Sequence, residues 1–244
     1  MKKKTAQQFI QLNRLFYETV AEEFNLTRNA SWYGFEKVWE TIFPTLTLSP
    51  NILDIGCGNG RFGSFLKTKI GNNFNYTGID QNQYLLNQAY RSLKGLAGIE
   101  LSLHNIFTPD NPIHLPIAHY HAITLLGVMH HIPGFDSRQK LLTYFGQYLA
   151  NQGFLIISLW QFFDDPRERN KIIPWGKLNI EIEDLEKNDF LLDWQNKGIP
   201  RYCHFVDRQE VSKLMSQIPY KLVADFLADG KSGKLNRYLI WKKV

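Results

Sequence analysis

The sequence has only two cysteines among its 244 residues, Cys57 and Cys203, and neither stands in a CxxC pair or a Cys/His zinc spacing. A disulfide framework and a zinc site of that kind are therefore excluded. The sequence also lacks any apolar run near the roughly 18 residues that a membrane span needs, and no apolar segment follows the lysines at positions 2–4. We expect a cytoplasmic protein without a membrane segment, a secretory signal or a bound metal.

No single sign of charge dominates, because 28 Lys and Arg residues stand against 23 Asp and Glu, a net charge of +5. With 44% hydrophobic and 21% charged residues, the composition is that of a globular protein and excludes disorder, collagen and coiled coil. The charge is unevenly placed: residues 161–196 carry a net −4, whereas residues 197–244 carry a net +6. This basic quarter could contact phosphate groups or could simply be a solvated surface.

The spacing of apolar residues predicts one α/β domain with additions. Two amphipathic helices fill residues 1–48, a core of alternating strands and helices follows at 51–160, and a helix with a hairpin closes the chain at 207–244. Residues 161–206 interrupt the alternation with charge and prolines, which indicates an insertion that covers a substrate site. The predicted strands are 51–55, 76–79, 99–103, 121–126, 153–160, 222–227 and 235–241.

Strands that alternate with helices predict a mostly parallel, seven-stranded sheet with helices on both faces. We expect the last two strands to form an antiparallel hairpin across Gly230–Gly233. Two helix starts show a capping signal, Asp136 followed by Gln139, and Asp207 followed by Glu210. Ligands of such sheets bind beyond the carboxyl ends of the strands.

A glycine-rich turn lies at that place, in the segment Gly56-Cys57-Gly58-Asn59-Gly60 between a predicted strand and a predicted helix. Glycines there let the backbone approach a ligand, and the helix N-terminus offers unpaired N–H groups. The segment Gly58-Asn59-Gly60-Arg61-Phe62-Gly63 also matches the GxGxxG pattern of dinucleotide sites. The turn alone therefore leaves two ligands open, S-adenosylmethionine and NAD, beside a purely structural turn.

Two acidic residues favour the first ligand. Asp54 ends the strand before the turn, where a carboxylate repels a pyrophosphate but can order the turn or accept from an ammonium group. Asp80 ends the next strand, where it can accept the ribose hydroxyls of an adenosine. A cofactor with a sulfonium, an ammonium and a ribose suits both acids better than NAD does.

The segments Leu53–Gly60 and Gly78–Asp80 resemble motif I and the acidic motif II of class I S-adenosylmethionine-dependent methyltransferases. The resemblance implies a doubly wound, Rossmann-like fold with an N-terminal helical cap. It also implies that Asn105 and Ile106 contact the adenine, although the family often has Asp in place of Asn105. His121 stands where the family has a carboxylate, and we give it no catalytic role. The expected cofactor site comprises Asp54, Gly56, Cys57, Gly58, Asn59, Gly60, Asp80, Gln81, Asn105, Ile106, Leu126 and Gly127.

A narrower resemblance concerns the flanks. The segment Phe16–Arg28 with Trp32 is similar to the opening of the tRNA wobble-uridine carboxymethyl methyltransferases, whose domain in animals is fused to an AlkB-type oxygenase. Val128–His131, Pro174-Trp175, Arg201–Phe205 and Asn236–Tyr238 resemble later landmarks of that family. The resemblance implies that Tyr17 and Trp32 cover the cofactor, that tRNA is the substrate, and that a small activating protein can be a partner.

The chemistry of that family needs a carboxylate holder rather than a general base, because a carboxylate is already ionised at neutral pH. Arg28 and Arg201 are the candidates, since arginine binds carboxylates with two parallel hydrogen bonds. His130 could orient the substrate, or it and His131 could be a loop hydrogen-bonder and an exposed side chain. We do not expect these histidines to bind metal, because adjacent side chains at a strand end diverge and no third ligand is evident.

Three alternatives remain open from the sequence. A small-molecule O-methyltransferase would use the same fold on a carboxylic acid or a phenol. A non-catalytic scaffold would bind the cofactor and activate a partner enzyme without turnover of its own. An NAD-linked oxidoreductase would use the GxGxxG reading of the turn. The segment Leu125–Val128, in place of an Asn/Asp-Pro-Pro-Tyr/Phe motif, argues against methylation of adenine or glutamine amines.

Overall fold

The computed structural model describes residues 1–27, 31–106, 113, 115–178, 180–195 and 197–244. The helices are α1 (Lys3–Leu26), α2 (Tyr33–Ile42), α3 (Arg61–Ile70), α4 (Gln83–Ser92), α5 (Phe135–Gly146), α6 (Pro166–Arg169) and α7 (Arg208–Met215). The strands are β1 (Asn51–Ile55), β2 (Asn75–Asp80), β3 (Gly98–Leu103), β4 (Tyr120–Leu126), β5 (Leu149–Trp160), β6 (Ile172–Ile173), β7 (Asp189–Asp193), β8 (Pro200–His204), β9 (Tyr220–Ala228) and β10 (Asn236–Lys243). Short 3₁₀ turns cover Phe43–Thr45, Met129–His131, Trp175–Lys177 and Ile182–Asp184.

Seven of the described strands form one sheet in the order β3-β2-β1-β4-β5-β10-β9. The first five are mutually parallel, and β10 runs antiparallel to both β5 and β9. Both strands of the predicted hairpin form and are longer than expected. The structure therefore confirms the doubly wound, Rossmann-like fold with an antiparallel C-terminal pair and an N-terminal helix.

The central strands of the sheet are buried on both faces, as their apolar sequences predict, whereas the edge strands β3 and β9 are partly exposed. Neighbouring residues of one strand enter different cores: Leu53 packs with Ile123 and Ile157 on one side, whereas Ile52 packs with Ile156 on the other. This alternation follows from the two-residue period of a strand. Because β1, β2, β4 and β5 run parallel, their carboxyl ends meet at one rim of the sheet. The glycine-rich turn lies at this rim.

Helix α1 buries a stripe that repeats every three or four residues, with Phe9, Asn13, Phe16 and Val20 on its inner side. The stripe packs on β8, where the rings of Phe9 and Tyr202 stack with centroids 4.3 Å apart. One residue of this stripe, Asn13, is polar, and its side chain lies at the cavity described below. Helix α2 packs its own apolar face on the sheet core, as predicted.

The segment 161–206 contains a second, three-stranded antiparallel sheet in the order β6-β7-β8. The sequence did not predict these strands, because they are short, carry Asp189 and Asp193 in β7, and are separated by polar turns. Through β8 this small sheet lies against α1. The division of the chain at residues 48, 160 and 206 stays a prediction.

The two predicted helix caps differ. Asp207 accepts from the backbone N–H of Glu210 at 2.9 Å and opens α7, as expected. The capping box at Asp136 is wrong, because α5 begins at Phe135 after Gly134, whose φ of 87° suits glycine. The carboxylate of Glu186 accepts from the backbone N–H of Phe135 at 2.7 Å, so a distant segment satisfies the helix start.

Among the helices that the structure describes, none combines the length and the apolar content needed to span a bilayer.

Candidate active site

The glycine-rich turn leaves β1 and opens α3 in a conformation that needs glycine. Gly56 and Gly58 have φ values of 68° and 55°, in the left-handed region. A Cβ on Gly56 would lie 2.5 Å from Val128 Cγ2, whereas a Cβ on Gly58 would meet no atom within 4 Å. Gly56 is therefore glycine because the protein packs against it, and Gly58 faces open space in which a ligand can approach the backbone.

Asp80, at the end of β2, faces this turn. One carboxylate oxygen accepts from the backbone N–H of Gly58 at 2.8 Å, and the other accepts from that of Asn82 at 2.8 Å. Burial raises the pKa of Asp80, and these backbone hydrogen bonds counteract the rise. Because a carboxylate can accept about four hydrogen bonds, Asp80 retains capacity for the hydroxyls of a ribose.

Asp54 lies deeper, at the end of β1. Thr124 and Tyr76 donate their hydroxyls to its two oxygens, each at 2.6 Å. Burial raises the pKa of Asp54 to about 6, and those two hydrogen bonds limit the rise. These contacts tie the end of β1 to β4 and β2, and the carboxylate also contributes negative charge to the cavity wall, so neither predicted role of Asp54 is excluded.

A cavity of about 470 Å³ extends from this turn to the segment 161–206, a size typical of small-molecule sites. It brings together most of the predicted site residues from seven separate segments of the chain. The predicted residues that line it are Tyr17, Trp32, Asp54, Gly56, Cys57, Gly58, Asn59, Asp80, Gln81, Ile106, Leu126, Gly127, His130 and Arg201.

Three predicted residues stand apart from that set. Gly60 does not line the cavity; it packs on α4, where a Cβ would lie 2.9 Å from that of Ala89. Asn105 is half-buried beside Ile106 and does not line the cavity either. Arg28 lies outside the described residues, so its predicted role stays a prediction.

Helix α1 and the start of α2 place two aromatic side chains, Tyr17 and Trp32, in the wall of the cavity. Tyr17 hydrogen-bonds His131 Nε2 through its hydroxyl at 2.7 Å. Trp32 lies next to Gly127, where an added Cβ would be 3.5 Å from the indole, and its ring carries the guanidinium of Arg61 at 4.1 Å. The backbone carbonyl of Tyr17 also accepts from Asn82, which ties α1 to the start of α4 at 3.1 Å.

His131 has polar contacts at both ring nitrogens. Its Nδ1 lies 3.3 Å from the backbone carbonyl of Tyr202 and 3.3 Å from Asn13 Nδ2, and its Nε2 lies 2.7 Å from the Tyr17 hydroxyl. Burial, and after it the nearby charge of Arg201, lower the pKa of His131 to about 3. The ring is therefore neutral and serves as a hydrogen-bonding link between β8 and α1.

His130 is also buried, with 6% of its surface exposed, and its Nδ1 has no hydrogen-bond partner among the described residues. Its ring lies 5.4 Å from that of Trp160, at the end of β5. Burial lowers the pKa of His130 well below its usual value, and His131 and the charge of Arg201 contribute to the same shift. The reading that makes one histidine of the pair solvent-exposed is therefore wrong.

Arg201 reaches the cavity from β8 and is 5% exposed. Its guanidinium lies over three aromatic rings, at 4.6 Å from Trp160, 5.1 Å from Phe16 and 5.5 Å from Trp194. Among the described residues no carboxylate pairs with it, and its buried Nε has no hydrogen-bond partner. A buried, unpaired guanidinium is costly, and an anionic ligand would relieve that cost.

The expectation that the two histidines diverge is wrong. Their ring centroids are 4.1 Å apart, and Cys203 joins them so that ligand-capable atoms of the three lie within 4.8 Å of one another. Both ring nitrogens of His131 are already engaged, burial raises the pKa of Cys203 to about 12, and the charge of Arg201 faces the group. These features disfavour a cation, so we retain the prediction of no metal.

Sequence reasoning missed several residues that line the cavity. Asn13 could have been found as the one amide in the buried stripe of α1. Trp160 could have been found as the last residue of the predicted strand 153–160, because ligand contacts are expected at the carboxyl ends of such strands. Trp194 and Lys171 carried no signal, because their segment could not be assigned to strands.

Comparison with known proteins agrees with this geometry. Residues 53–155, from β1 to the middle of β5, match a family described as "Methyltransferase domain". No curated protein matches the sequence.

Several solved structures share the fold. An S-adenosylmethionine-dependent methyltransferase from Methanosarcina mazei is 18% identical with a TM-score of 0.63, covering 83% of this chain and 96% of its own. The 1,6-didemethyltoxoflavin-N1-methyltransferase of Burkholderia thailandensis, solved with its substrate and S-adenosylhomocysteine, is 13% identical with a TM-score of 0.67, covering 98% and 90%. The N-methyltransferase NodS of Bradyrhizobium japonicum, solved with S-adenosylhomocysteine, is 14% identical with a TM-score of 0.57, covering 86% and 85%.

The open space at Gly58 and the acceptor capacity of Asp80 fit an adenosine at the rim of the sheet. The same rim lies within the matched domain. The chain therefore contains a match to a methyltransferase domain over residues 53–155, and it shares the fold of solved S-adenosylmethionine-dependent methyltransferases.

Proposed function

We propose that the enzyme methylates a carboxylate, and that this carboxylate is the carboxymethyl group of a wobble uridine in tRNA. The observation that supports the first part is Arg201, a buried guanidinium without a carboxylate partner among the described residues, in the same cavity as the cofactor turn. A planar guanidinium binds a carboxylate with two parallel hydrogen bonds and so fixes its orientation.

The histidines of the cavity support the same acceptor. Burial lowers the pKa of both His130 and His131, so both are neutral at physiological pH and weak as bases. An acceptor that must lose a proton, such as an amine or a phenol, would find no poised base in these two side chains. A carboxylate needs none, because it is ionised already.

Bound S-adenosylmethionine supplies a methyl group on a positively charged sulfur. Transfer of that methyl group to a carboxylate oxygen would break the carbon–sulfur bond and would give a neutral ester and a neutral thioether without proton transfer. Arg201 holds the attacking group, and the rings of Trp160, Phe16 and Trp194 keep water from its guanidinium. Because the ester is uncharged, Arg201 binds the product less strongly than the substrate, which favours release.

The tRNA part of the proposal is supported by the flanking segments that resemble the wobble-uridine enzymes and by the basic final quarter of the chain. A small carboxylic acid is the second candidate. The depth of Arg201, which is 5% exposed, favours it, because a free acid reaches a buried side chain more easily than a nucleotide within a folded RNA does. The Burkholderia enzyme of the same fold shows that the architecture also serves small molecules.

The test offers both acceptors to the purified enzyme. With a methyl-labelled donor, we expect label in tRNA from a strain that lacks this gene, and nucleoside mass spectrometry should identify a carboxymethyluridine methyl ester. Label only in a panel of free carboxylic acids would support the second candidate. Cofactor binding without label in either pool, while an added protein partner restores turnover, would support the scaffold reading.

A further inference from the structure

Strand β8 carries the acceptor side of the cavity. Arg201 points into the cavity, and the next residue, Tyr202, uses its backbone N–H and carbonyl to bind the side-chain amide of Asn13 on α1, at 2.8 and 3.1 Å. The same carbonyl holds the Nδ1 of His131. Any shift of β8 along its length would therefore move the guanidinium relative to both α1 and the histidines.

The strand ends at His204, whose ring lies between two carboxylates. Its Nδ1 is 2.7 Å from Asp189 Oδ1, and its Nε2 is 2.6 Å from Glu210 Oε2. Asp189 also accepts from the Tyr202 hydroxyl at 2.7 Å, and Glu210 also accepts from Arg138 Nε at 2.6 Å. We therefore take both carboxylates as acceptors and both ring nitrogens of His204 as protonated. Burial alone would lower the pKa of His204, but the hydrogen bonds to Asp189 and Glu210 outweigh it and raise that pKa.

Arg138, on α5, completes the group. It donates through Nε to Glu210 at 2.6 Å and through Nη2 to Glu186 at 2.5 Å, and it is almost fully buried. Its Nη1 donates to the backbone carbonyl of Ile132 at 2.8 Å, directly after the turn that carries His130. We call His204, Asp189, Glu210, Arg138 and Glu186 the His204 cluster.

The charges of the cluster explain why the proton on His204 matters. Three carboxylates face two cations, and Asp207 at the start of α7 adds further negative charge near the ring. Loss of the proton would leave Arg138 alone among the carboxylates and would turn one hydrogen bond of the ring into a repulsive contact. The contacts at risk are those that join β8, β7, α5 and α7.

We propose that His204 is a positioning residue: its doubly protonated ring fixes β8 and the 129–132 turn, and thereby sets Arg201 and His130 for the acceptor. The inference rests on the proposed function, because it takes Arg201 and His130 as acceptor-binding groups. The cofactor turn lies at the ends of other strands and is not part of this inference. Acceptor binding, and not cofactor binding, should therefore depend on the His204 proton.

A metal ion is the competing occupant, because Glu186, Asp189 and His204 can present ligand atoms within 4.8 Å of one another. The geometry favours the proton, since both ring nitrogens already face carboxylates and Arg138 supplies a second cation at the same place. Added zinc should therefore leave the His204 resonances unchanged.

The first measurement is direct and needs no substrate. In the enzyme with bound S-adenosylhomocysteine and ¹³C-labelled histidine, His204 should stay protonated to a pH above the ordinary value for histidine, and the Nε–H resonance of Arg201 should shift with the same midpoint. The variant His204→Gln assigns the signal. A ring that titrates at or below the ordinary value, an Arg201 resonance that does not follow it, or a zinc-induced shift would overturn the proposal.

The second measurement separates positioning from general stability. At pH 6, His204→Gln should raise KM for carboxymethyluridine tRNA about tenfold while Kd for the cofactor stays unchanged. In the wild type KM should rise with pH through the midpoint seen by NMR, and in the variant it should be flat. His121→Gln, a change at the far end of β4 where the ring caps the start of β1, is the matched control and should resemble the wild type.

The outcomes distinguish this inference from the proposed function. An equal loss of acceptor and cofactor binding in His204→Gln would reduce His204 to a structural role. Absence of turnover on any carboxylate by the wild type would sink the proposed function, yet the linked titration of His204 and Arg201 would still support the positioning role. If His204→Gln fails to fold, the wild-type titration and the wild-type pH profile decide the matter.

Discussion

The half of the cavity at the glycine-rich turn, which we assign to the cofactor, and the half at Arg201, which we propose for the acceptor, are built differently. The cofactor half rests on one short segment, the turn after β1, with Asp80 on the adjacent strand, and its contacts run through backbone N–H groups. The acceptor half gathers Arg201 from β8, His130 from the turn after β4 and Trp160 from β5, and its contacts run through side chains. Local backbone geometry thus specifies the first half, and long-range packing specifies the second.

The largest expected effect breaks the acceptor half alone. Arg201→Ala should weaken transition-state binding by about 2–5 kcal/mol, because a buried charged contact to the carboxylate is lost. Arg201→Lys should recover little of it, since an ammonium cannot form the paired hydrogen bonds. Steady-state kinetics checks the loss, and calorimetry should show unchanged cofactor affinity. The exposed Arg91→Ala is the control, and a normal rate in Arg201→Ala would exclude this arginine from the site.

The converse change breaks the cofactor half. Asp80→Ala should weaken cofactor binding by about 1–3 kcal/mol through the loss of charge-assisted hydrogen bonds. It also frees the N–H of Gly58, so the turn itself should loosen. Calorimetry with S-adenosylhomocysteine measures the effect, and Asp225→Ala, which removes a carboxylate from a pair with Arg237 on β10, is the control. Unchanged affinity would take Asp80 out of the site.

A pH series sharpens the contrast. Asp54 has its pKa raised to about 6, so it is ionised above that pH and gains a proton below it. A cationic cofactor prefers the ionised form, so its affinity should fall as the pH drops through about 6, by at most about 1.4 kcal/mol per pH unit. Calorimetry at pH 5 and 7.5 checks this, with Asp54→Asn expected to remove the dependence. A dependence that survives in Asp54→Asn would assign it to another group, and the acceptor half should respond on the alkaline side instead, through His204.

The smallest expected effect lies where the halves meet. Tyr17→Phe removes the hydroxyl that hydrogen-bonds His131 Nε2 while keeping the ring in the wall of the cavity. The loss of one hydrogen bond should cost about 0.5–1.5 kcal/mol. Both cofactor Kd and acceptor KM should rise slightly, because α1 contacts both halves. An effect on only one of the two constants would show that α1 does not couple them.

The cofactor half was largely readable from the sequence. The glycines after β1 and the acid at the end of β2 allowed this prediction, because a turn that needs left-handed backbone at fixed spacing can be recognised locally. Asp54 was found, but its partners were not, since Thr124 and Tyr76 reach it only across neighbouring strands.

The acceptor half was read only in part. Arg201 was selected by its chemistry and by the resemblance of its segment, whereas its aromatic surroundings come from α1, β5 and the turn after β7. The sheet of β6, β7 and β8 was missed because its strands are short and polar. Whether such strands form depends on pairing with their neighbours more than on their intrinsic β propensity. The cap at Asp136 failed for a related reason: Glu186, fifty-one residues from Phe135, satisfies the helix start.

The sequence by itself determined the alternation of strands and helices, the position of the cofactor turn and the identity of the acids beside it. These depend on periodicity and on conformational preferences that act within a few residues. Only the tertiary structure decided that Arg201 is buried without a carboxylate partner in the described chain, that His131 is a buried, neutral ring, and that His204 lies between two carboxylates. Charge and burial at those positions are set by groups that are distant along the chain and meet only when it folds.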